Sequence, residues 1–293
     1  MAPRAWFLNL DADTELGTSH SYTTGRQIRR HIDQHRSACA ALTLGEPVCG
    51  QDPVDSELPV YCWCPTPSAL AALASLGLRA LAGPGVDALR RANDRAWTVD
   101  LAEPQLGRCL VTSADDWRRL LLEAPSPTGT WRLKRRFGFA GRGQRRLRAL
   151  PSADDLRWIS AALGQGGLLR EAELSIQEEF SIHGYVDASE LMLGSPVSFA
   201  SDAFGAPAGH TRCLAPSAWA RELEQAATQV ASRLREYGYF GPFGVDAFSW
   251  RSEGALVLNP VSDVNARFTL AWSTGMGPER ERALQRYLAR CAG

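Results

Sequence analysis

Apolar positions along the chain follow two spacings, which alternate in the first third of the sequence. Short apolar runs bounded by glycine, proline or acidic residues are typical of buried strands, whereas apolar residues three and four positions apart are typical of one helix face. These patterns predict strands at 6–10, 60–63 and 78–81 and helices at 24–36, 66–77 and 86–93. Strands that alternate with helices predict a small open α/β unit.

Beyond residue 95 a single strand is predicted at 108–111, and the other predicted strands come in neighbouring pairs. The pairs are 130–135 with 144–150, 174–186 with 191–199, and 243–250 with 255–264. Strands that short loops join are typical of antiparallel pairing. Ser113 and Ser152 each precede a helical pattern with an acid three positions on, as in a capping box, and further helices are predicted at 217–237 and from 278. The chain is therefore predicted to be an α/β unit followed by an α+β region.

Composition excludes several classes of function. The chain has 293 residues, 45% of them hydrophobic, and its 32 basic residues balance 32 acidic ones. Without excess positive charge, little electrostatic attraction to nucleic acid or to an acidic membrane surface is expected, and no apolar run is long enough to span a bilayer. The seven cysteines form no regular framework, which favours the reducing cytoplasm. We therefore expect a cytoplasmic protein that binds neither nucleic acid nor membrane.

Lys134 is the only lysine in the chain, so 32 − 1 = 31 of the basic residues are arginine. It lies in the predicted strand at 130–135, shortly before a loop with Gly138, Gly141 and Gly143. Glycine N–H groups can converge on phosphate oxygens, and an ammonium beside them supplies a compact positive charge for the same oxygens. A hairpin tip with solvated arginines is the alternative interpretation. One ammonium retained at this place favours the phosphate site.

A second set of polar residues interrupts the last predicted hairpin. Asp246 lies within an apolar strand, where a carboxylate is costly unless a cation or hydrogen-bond donors meet it. Asp263 and Asn265 are two positions apart on the partner strand and so face the same side, with Arg267 two positions further on. Three oxygen ligands on adjacent strands suit Mg²⁺, which binds few protein groups together with phosphates. The alternative interpretation makes Asp263 and Asn265 turn residues and Arg267 a surface charge.

A third set lies in the predicted strand at 174–186, which contains Gln177, Glu178, Glu179 and His183. In a strand that lines a nucleotide pocket, one acid and free backbone groups can bind an adenine edge or ribose hydroxyls. If this strand borders solvent, exposure to water explains one of the two acids, Glu178 and Glu179, equally well. His183 is a candidate ligand contact or, alternatively, a buried histidine with a structural role.

Asp11 and Asp13 follow the first predicted strand in the sequence LDAD. An Asp-x-Asp pair resembles the metal-binding motif of sugar-nucleotide glycosyltransferases, although two residues make a weak motif. Ligands of α/β units bind at the carboxyl ends of strands. Asn9, Asp11 or Thr66 is therefore also a candidate contact to a second substrate.

In order and spacing these motifs resemble the ATP-grasp superfamily of carboxylate–amine ligases, from about residue 90 to residue 269. WRLKRRFGFAGRG resembles the family's strand lysine and phosphate-covering glycine loop, and IQEEF resembles its hinge strand beside adenine. GVDAF followed by DVNAR resembles its pair of metal-binding strands, closed by an arginine. RANDRAW resembles the entry to the nucleotide-binding region, with Arg95 where a second lysine for ATP commonly lies.

The resemblance implies an ATP-grasp fold with an N-terminal open α/β domain at 1–93, a small lobe at 94–170 and a large lobe at 171–293. It implies ATP with Mg²⁺ or Mn²⁺, small-molecule carboxylate and amine substrates, and a homodimer, as in many relatives. The implied residues are Arg95, Lys134, Gly138, Gly141, Gly143, Gln177, Glu178, Glu179 and His183 for ATP; Asp246, Asp263 and Asn265 for the metal; and Lys134 and Arg267 for catalysis.

Three features depart from the family pattern. Asp263 stands where glutamate is usual, Arg95 replaces a lysine, and 263 − 246 = 17 positions separate the two metal-site aspartates, which is longer than the common pattern. A second register through Asn259 would bring no acid to the site.

Three functions remain open from the sequence. The first is a ligase that activates a carboxylate as an acyl phosphate and couples it to an amine of an amino acid, peptide or small natural product. The second is a non-catalytic or weakened ATP-binding protein with the same fold. The third is a glycosyltransferase that uses Asp11 and Asp13.

Overall fold

The computed structural model describes residues 3–18, 22–26, 30, 39–123, 126, 128–138, 141–148, 151–201, 207–212 and 219–292. The N-terminal unit is built around two parallel strands, to which Val48 and Ala80 add single parallel bridges. Its elements are β1 (Ala5–Phe7), α1 (Ala12–Leu16), α2 (Ala40–Thr43), β2 (Val60–Cys62), α3 (Pro67–Ser75) and α4 (Val86–Asn93).

The predicted α/β unit is present, and its strands are shorter than predicted. β1 ends at Phe7 because the Asn9 side chain, and not its backbone, makes the next bonds to the neighbouring chain: Nδ2 donates to the Cys64 carbonyl at 2.8 Å and Oδ1 accepts from the Cys64 N–H at 3.2 Å. The predicted strand at 78–81 is reduced to the bridge at Ala80. The predicted helix at 24–36 lies mostly outside the described residues.

A four-stranded antiparallel sheet follows, in the order β3-β6-β4-β5. Two short 3₁₀ helices, Arg95–Leu101 and Pro104–Leu106, lead into it. Its elements are β3 (Cys109–Val111), α5 (Ala114–Glu123), β4 (Thr130–Arg135), β5 (Gln144–Arg148), α6 (Ala153–Leu163) and β6 (Leu168–Ala172).

The strand β6 has no counterpart among the sequence predictions. Only two apolar residues precede Arg170 and Glu171, so the segment has the pattern of a polar loop. In the fold both charged side chains have partners that come from distant segments. The Arg170 guanidinium lies 3.9 Å from the centre of the Trp131 ring, and Glu171 is buried among cations. Tertiary contacts therefore decide this strand, and local pattern does not.

The C-terminal part forms a six-stranded antiparallel sheet in the order β10-β9-β7-β11-β12, with β8 paired to β7. A long amphipathic helix packs against it, and the final helix begins close to the predicted position. The elements are β7 (Ile176–Val186), β8 (Leu191–Leu193), β9 (Val197–Ser201), β10 (Pro207–Arg212), α7 (Ala220–Glu236), β11 (Gly241–Ser252), β12 (Ala255–Asn265), α8 (Trp272–Met276) and α9 (Arg280–Ala292).

The larger and the smaller sheet have separate apolar cores, which explains where a cleft can form. The N-terminal unit and the six-stranded sheet share one core, in which Phe268 packs edge-on against Trp6 and Trp272 with ring centres 4.9 Å apart in both pairs. The four-stranded sheet has its own core around Leu133 and Trp117. A small apolar cluster of Leu106, Phe248 and Trp250, together with polar side chains, joins the smaller sheet to the rest. Within the described residues, no helix is both long and apolar enough to cross a membrane.

Candidate functional site

A cavity of about 250 Å³ lies between the four-stranded and the six-stranded sheets. β4 and the glycine loop form one wall, and β7, β11 and β12 form the other. Ten of the thirteen predicted site residues line this cavity: Arg95, Lys134, Gly138, Gly141, Glu179, His183, Asp246, Asp263, Asn265 and Arg267. Gly143, Gln177 and Glu178 do not line it.

Lys134 is buried on the wall formed by the smaller sheet, and its ammonium forms an ion pair with Glu171 of β6. The second carboxylate oxygen of Glu171 accepts from Arg108 Nε at 2.7 Å. Burial alone would raise the pKa of Glu171, but Arg108 and Lys134 outweigh it and lower this pKa to about 2. Burial lowers the pKa of Lys134 in turn. The Lys134 ammonium is therefore held in one place at the cavity wall by a permanently charged carboxylate.

Glu171→Gln is expected to lower the free energy of unfolding by about 3 kcal/mol at pH 7, because the folded pKa near 2 lies well below the ordinary 4.5. A carboxyl with a lowered folded pKa stabilises fully above its unfolded pKa and loses this contribution as pH falls through the folded value. The difference from wild type should therefore shrink between pH 5 and pH 3, as measured by urea unfolding.

Glu173→Gln provides the control for this prediction. Glu173 lies just beyond β6 and pairs with Arg132 and Arg146 in a more exposed place. Its replacement should cost about 1 kcal/mol or less. A Glu171→Gln difference that stays constant from pH 7 to pH 3 would contradict the assigned charge state.

The glycine loop brings backbone, not side chains, to the cavity. A Cβ at Gly138 would lie 2.5 Å from the Arg142 carbonyl oxygen, so the close approach of the two chain segments requires glycine. Gly141 has φ +72°, in the left-handed region that favours glycine. Gly143 lies at the base of the loop, where its carbonyl accepts from the Arg135 N–H at 2.8 Å. Residues 139–140 of the loop lie outside the described residues.

The wall formed by the larger sheet follows the alternation of its strands. Glu179, Ser181 and His183 of β7 line the cavity, and the register places them opposite Phe248, Asp246 and Gly244 of β11. The register shifts before Glu178, so that Ile176 pairs with Trp250 and Gln177 is left out of the ladder. This bulge directs Ile176 into the cavity and leaves the Gln177 side chain exposed.

The unusual spacing between the two aspartates is absorbed by a bulge in β12. Phe248 pairs with Asn259 and Asp246 pairs with Asp263, so two steps along β11 match four along β12. The extra residues are held by Arg108, which donates to the Val261 and Ser262 carbonyls at 3.3 and 3.0 Å. The residue of β12 that lies opposite Asp246 is therefore Asp263 and not Asn259. Asn259 is buried elsewhere and accepts from the Glu103 N–H.

The residues predicted to hold a metal ion form a compact oxygen-rich set. Asn265 Nδ2 donates to Asp246 Oδ2 at 3.0 Å, and Asp263 lies directly across from Asp246. Burial and the nearby Asp263 raise the pKa of Asp246 to about 7. Two carboxylates that disfavour each other's charge are a place where a divalent cation fits. Within the described ranges no three His, Cys, Asp or Glu side chains cluster, so such a cation would need further oxygens from a ligand or water.

Arg267 is buried beside this set and connects it to the N-terminal unit. Its Nε and Nη2 donate to the Asp13 carboxylate at 3.2 and 2.7 Å, and Nη2 also donates to Asn265 Oδ1 at 2.7 Å. The guanidinium lies 5.1 Å from the centre of the Trp63 ring. Asp13 therefore fixes the orientation of Arg267 at the cavity wall.

The two aspartates of LDAD have separate protein partners. Asp11 Oδ2 accepts from Tyr22 at 2.6 Å and from Thr24 at 2.8 Å, whereas Asp13 is paired with Arg267. Neither residue lines the cavity. The pair thus offers no shared metal site of the kind that the glycosyltransferase hypothesis requires.

The sequence interpretation missed three residues of the site: Asp13 as the partner of Arg267, Glu171 as the partner of Lys134, and Arg108 behind Glu171. Asp13 had one usable signal, because acids at the carboxyl end of a strand border ligand clefts in α/β units. Glu171 and Arg108 had none, because neither belongs to a recognisable motif.

Comparison with known proteins identifies the architecture. No protein-family model and no curated protein matches the sequence. D-alanyl-alanine synthetase A from Vibrio cholerae superposes with a TM-score of 0.53 at 14% identity, over 99% of this chain and 98% of that one. D-cycloserine synthetase gives 0.56 at 14% identity, over 98% and 99%. Biotin carboxylase from Campylobacter jejuni, solved as a β,γ-ATP complex, gives 0.56 at 11% identity, over 100% and 71%. At these identities the likeness concerns the fold alone, and this chain has the ATP-grasp fold.

Proposed function

We propose that this protein is an ATP-dependent ligase that activates a carboxylate and couples it to an amine. The observation that carries the proposal is the composition of the two cavity walls. Lys134 and the glycine loop lie on one wall, and Asp246, Asp263 and Asn265 lie on the other. Cations with backbone N–H groups opposite carboxylates are what a triphosphate with a divalent ion requires.

The nucleotide would lie along β7. Ile176, Phe248 and Glu179 supply an apolar surface with one acid at the end away from Arg267, which suits an adenosine. Lys134 and Arg95 would hold phosphate oxygens, together with the backbone near Gly138 and Gly141. His183 lies further along the same strand, and we assign it to the wall of the site rather than to proton transfer.

The metal ion in this proposal is Mg²⁺ or Mn²⁺, held by Asp246, Asp263 and Asn265. When bound, such an ion neutralises phosphate charge and orients the phosphoryl group. The residues of the chain contribute position and charge, because phosphoryl transfer requires little covalent chemistry from the protein.

The reaction we propose has two steps. A substrate carboxylate oxygen attacks the γ-phosphorus of ATP, so that the bond to the β-phosphate oxygen breaks, ADP leaves and an acyl phosphate forms. The amine then attacks the acyl carbon, phosphate leaves with the electrons of the carbon–oxygen bond, and the amine loses a proton. Arg267 has one N–H that is not used by Asp13, Asn265 or the Phe268 carbonyl, and this N–H would face the charge on the transferring group.

The wider setting is part of the same proposal. We assign residues 1–93 to an N-terminal domain, 94–170 to a small lobe and 171–293 to a large lobe, with the ligands between the lobes. Five described cysteines, Cys49, Cys62, Cys64, Cys109 and Cys291, form no disulfide, which supports a reducing compartment such as the cytoplasm. The substrates would be small molecules, and a homodimer is the assembly we propose.

The test is ADP formation by the purified protein with ATP and Mg²⁺ against a panel of carboxylic acids and amines. We expect ADP release to require a particular acid, and hydroxylamine in place of the amine to trap the acyl phosphate as a hydroxamate. Tight ATP binding without ADP formation in the presence of any acid of the panel would instead favour the non-catalytic ATP-binding protein.

A further inference from the structure

The Arg95 guanidinium donates hydrogen bonds to the carboxylate of Asp263, one of the residues assigned to the metal ion. Its Nε lies 3.0 Å from both Asp263 oxygens, and its Nη2 donates to Oδ2 at 2.6 Å. The Val264 N–H adds a bond to Oδ1 at 3.0 Å. Both oxygens that a metal ion would use are therefore already engaged.

The same guanidinium also holds the glycine loop. Its Nη2 donates to the Gly138 carbonyl at 2.9 Å and its Nη1 donates to the Arg135 carbonyl at 3.3 Å. Arg95 itself is 8% exposed, at the junction of the two walls. One side chain thus connects the loop proposed to cover the phosphates to the strand proposed to hold the metal ion.

Three other cations line the cavity, and each has a carboxylate partner outside the metal set. Lys134 is paired with Glu171, Arg132 with Glu173, and Arg267 with Asp13. Arg267 also donates to the amide oxygen of Asn265, which belongs to the metal set, at 2.7 Å. Among the described cations that line the cavity, Arg95 alone has a carboxylate partner that belongs to the predicted metal set. A guanidinium in contact with a carboxylate competes with any divalent cation for it, because the oxygens are shared and the two positive charges repel each other.

We propose that Arg95 is a positioning residue that competes with the divalent ion for Asp263 and releases it when nucleotide phosphates take over the guanidinium. Metal and nucleotide then strengthen each other's binding, and the ion alone binds weakly. This inference rests on the proposed function, since it requires phosphates in the cavity. Reciprocity of binding free energies requires the factor by which ADP raises metal affinity to equal the factor by which the metal raises ADP affinity.

The experiment measures Mn²⁺ binding by the loss of the free-ion electron paramagnetic resonance signal, with and without ADP. We expect Arg95→Met to bind Mn²⁺ alone at least about 10-fold more tightly than wild type, within the usual range of coupling between sites. ADP should raise the Mn²⁺ affinity of both proteins, and the increase should be at least about fivefold larger for wild type than for Arg95→Met. These titrations measure binding alone and do not depend on turnover.

Arg136→Met is the matched control, because Arg136 pairs with Asp94 beside the same loop and does not line the cavity. It removes the same charge and should leave Mn²⁺ affinity within about twofold of wild type. Arg95→Lys keeps a charge but loses the fork that grips both oxygens, so it should show a smaller gain in the same direction. If Arg95→Met does not fold, this variant decides the question.

Unchanged Mn²⁺ affinity in Arg95→Met or Arg95→Lys, in protein that binds ADP, would overturn the inference and leave the proposed function standing. An equal gain in Arg136→Met would also overturn it, because the effect would then be general electrostatics. Wild-type protein that binds no ADP at any Mn²⁺ concentration would instead refute the proposed function.

Discussion

Lys134→Met is expected to reduce ADP formation about 100- to 1000-fold with ATP, Mg²⁺ and the accepted acid, because it removes the ammonium proposed to hold the transferring phosphates. Methionine keeps most of the buried volume of the lysine stem. Glu171 keeps Arg108 as a partner at 2.7 Å, so the variant should remain folded. ADP release is measured with a coupled enzyme assay, and far-ultraviolet circular dichroism checks that the variant is folded.

Arg135→Met supplies the control on the same strand. Arg135 donates to Gln165 Oε1 at 2.7 Å and lies 5.3 Å from the Trp158 ring, outside the cavity. The Arg135→Met substitution also removes one positive charge next to the glycine loop. ADP release close to the wild-type rate in this variant would show that the position of the Lys134 ammonium matters and that net charge does not. Wild-type turnover in Lys134→Met would remove Lys134 from the site.

The order of most elements was predictable because most carry their own local signal; β6 is an exception. Ser152 accepts from the Asp155 N–H and the Asp155 side chain returns to the Ser152 N–H, so this helix begins where the capping box predicts. The strand Thr130–Arg135 has the predicted bounds. Alternation in β12 was sufficient to place Asp263 and Asn265 on the same face, since a strand fixes which residues share a face.

Side-chain partners were not predictable, because they depend on register between distant segments. Two bulges change which residues meet: one removes Gln177 from the cavity wall, and the other brings Asp263 rather than Asn259 opposite Asp246. The β7 bulge has no local sequence signal, whereas the β12 bulge contains Pro260, which has no N–H to donate to a strand ladder. Nor was the partner of Arg95 predictable: Arg95 was predicted as a phosphate ligand, and its partner in the fold is Asp263.

The contact between Asp13 and Arg267 spans 254 positions and carries a large expected effect on stability. Both side chains are buried, with 5% and 7% of their surface exposed. Removing one partner of a buried ion pair leaves an uncompensated charge, whereas removing both leaves none. The sign of the effect in a double variant therefore separates a structural contribution from a catalytic one.

Arg267→Met is expected to lower the free energy of unfolding by about 3–5 kcal/mol, because the Asp13 carboxylate is left buried without a cation. Combining it with Asp13→Asn should restore part of that loss, since the amide carries no charge. ADP release should stay at least about 100-fold below wild type in both variants, because the cation facing the transferring group is absent from both. Urea unfolding and ADP assays on wild type, the two single variants and the double variant together form a double-mutant cycle. A double variant that is less stable than Arg267→Met would contradict the buried-charge argument, and one that recovers turnover would exclude Arg267 from the reaction.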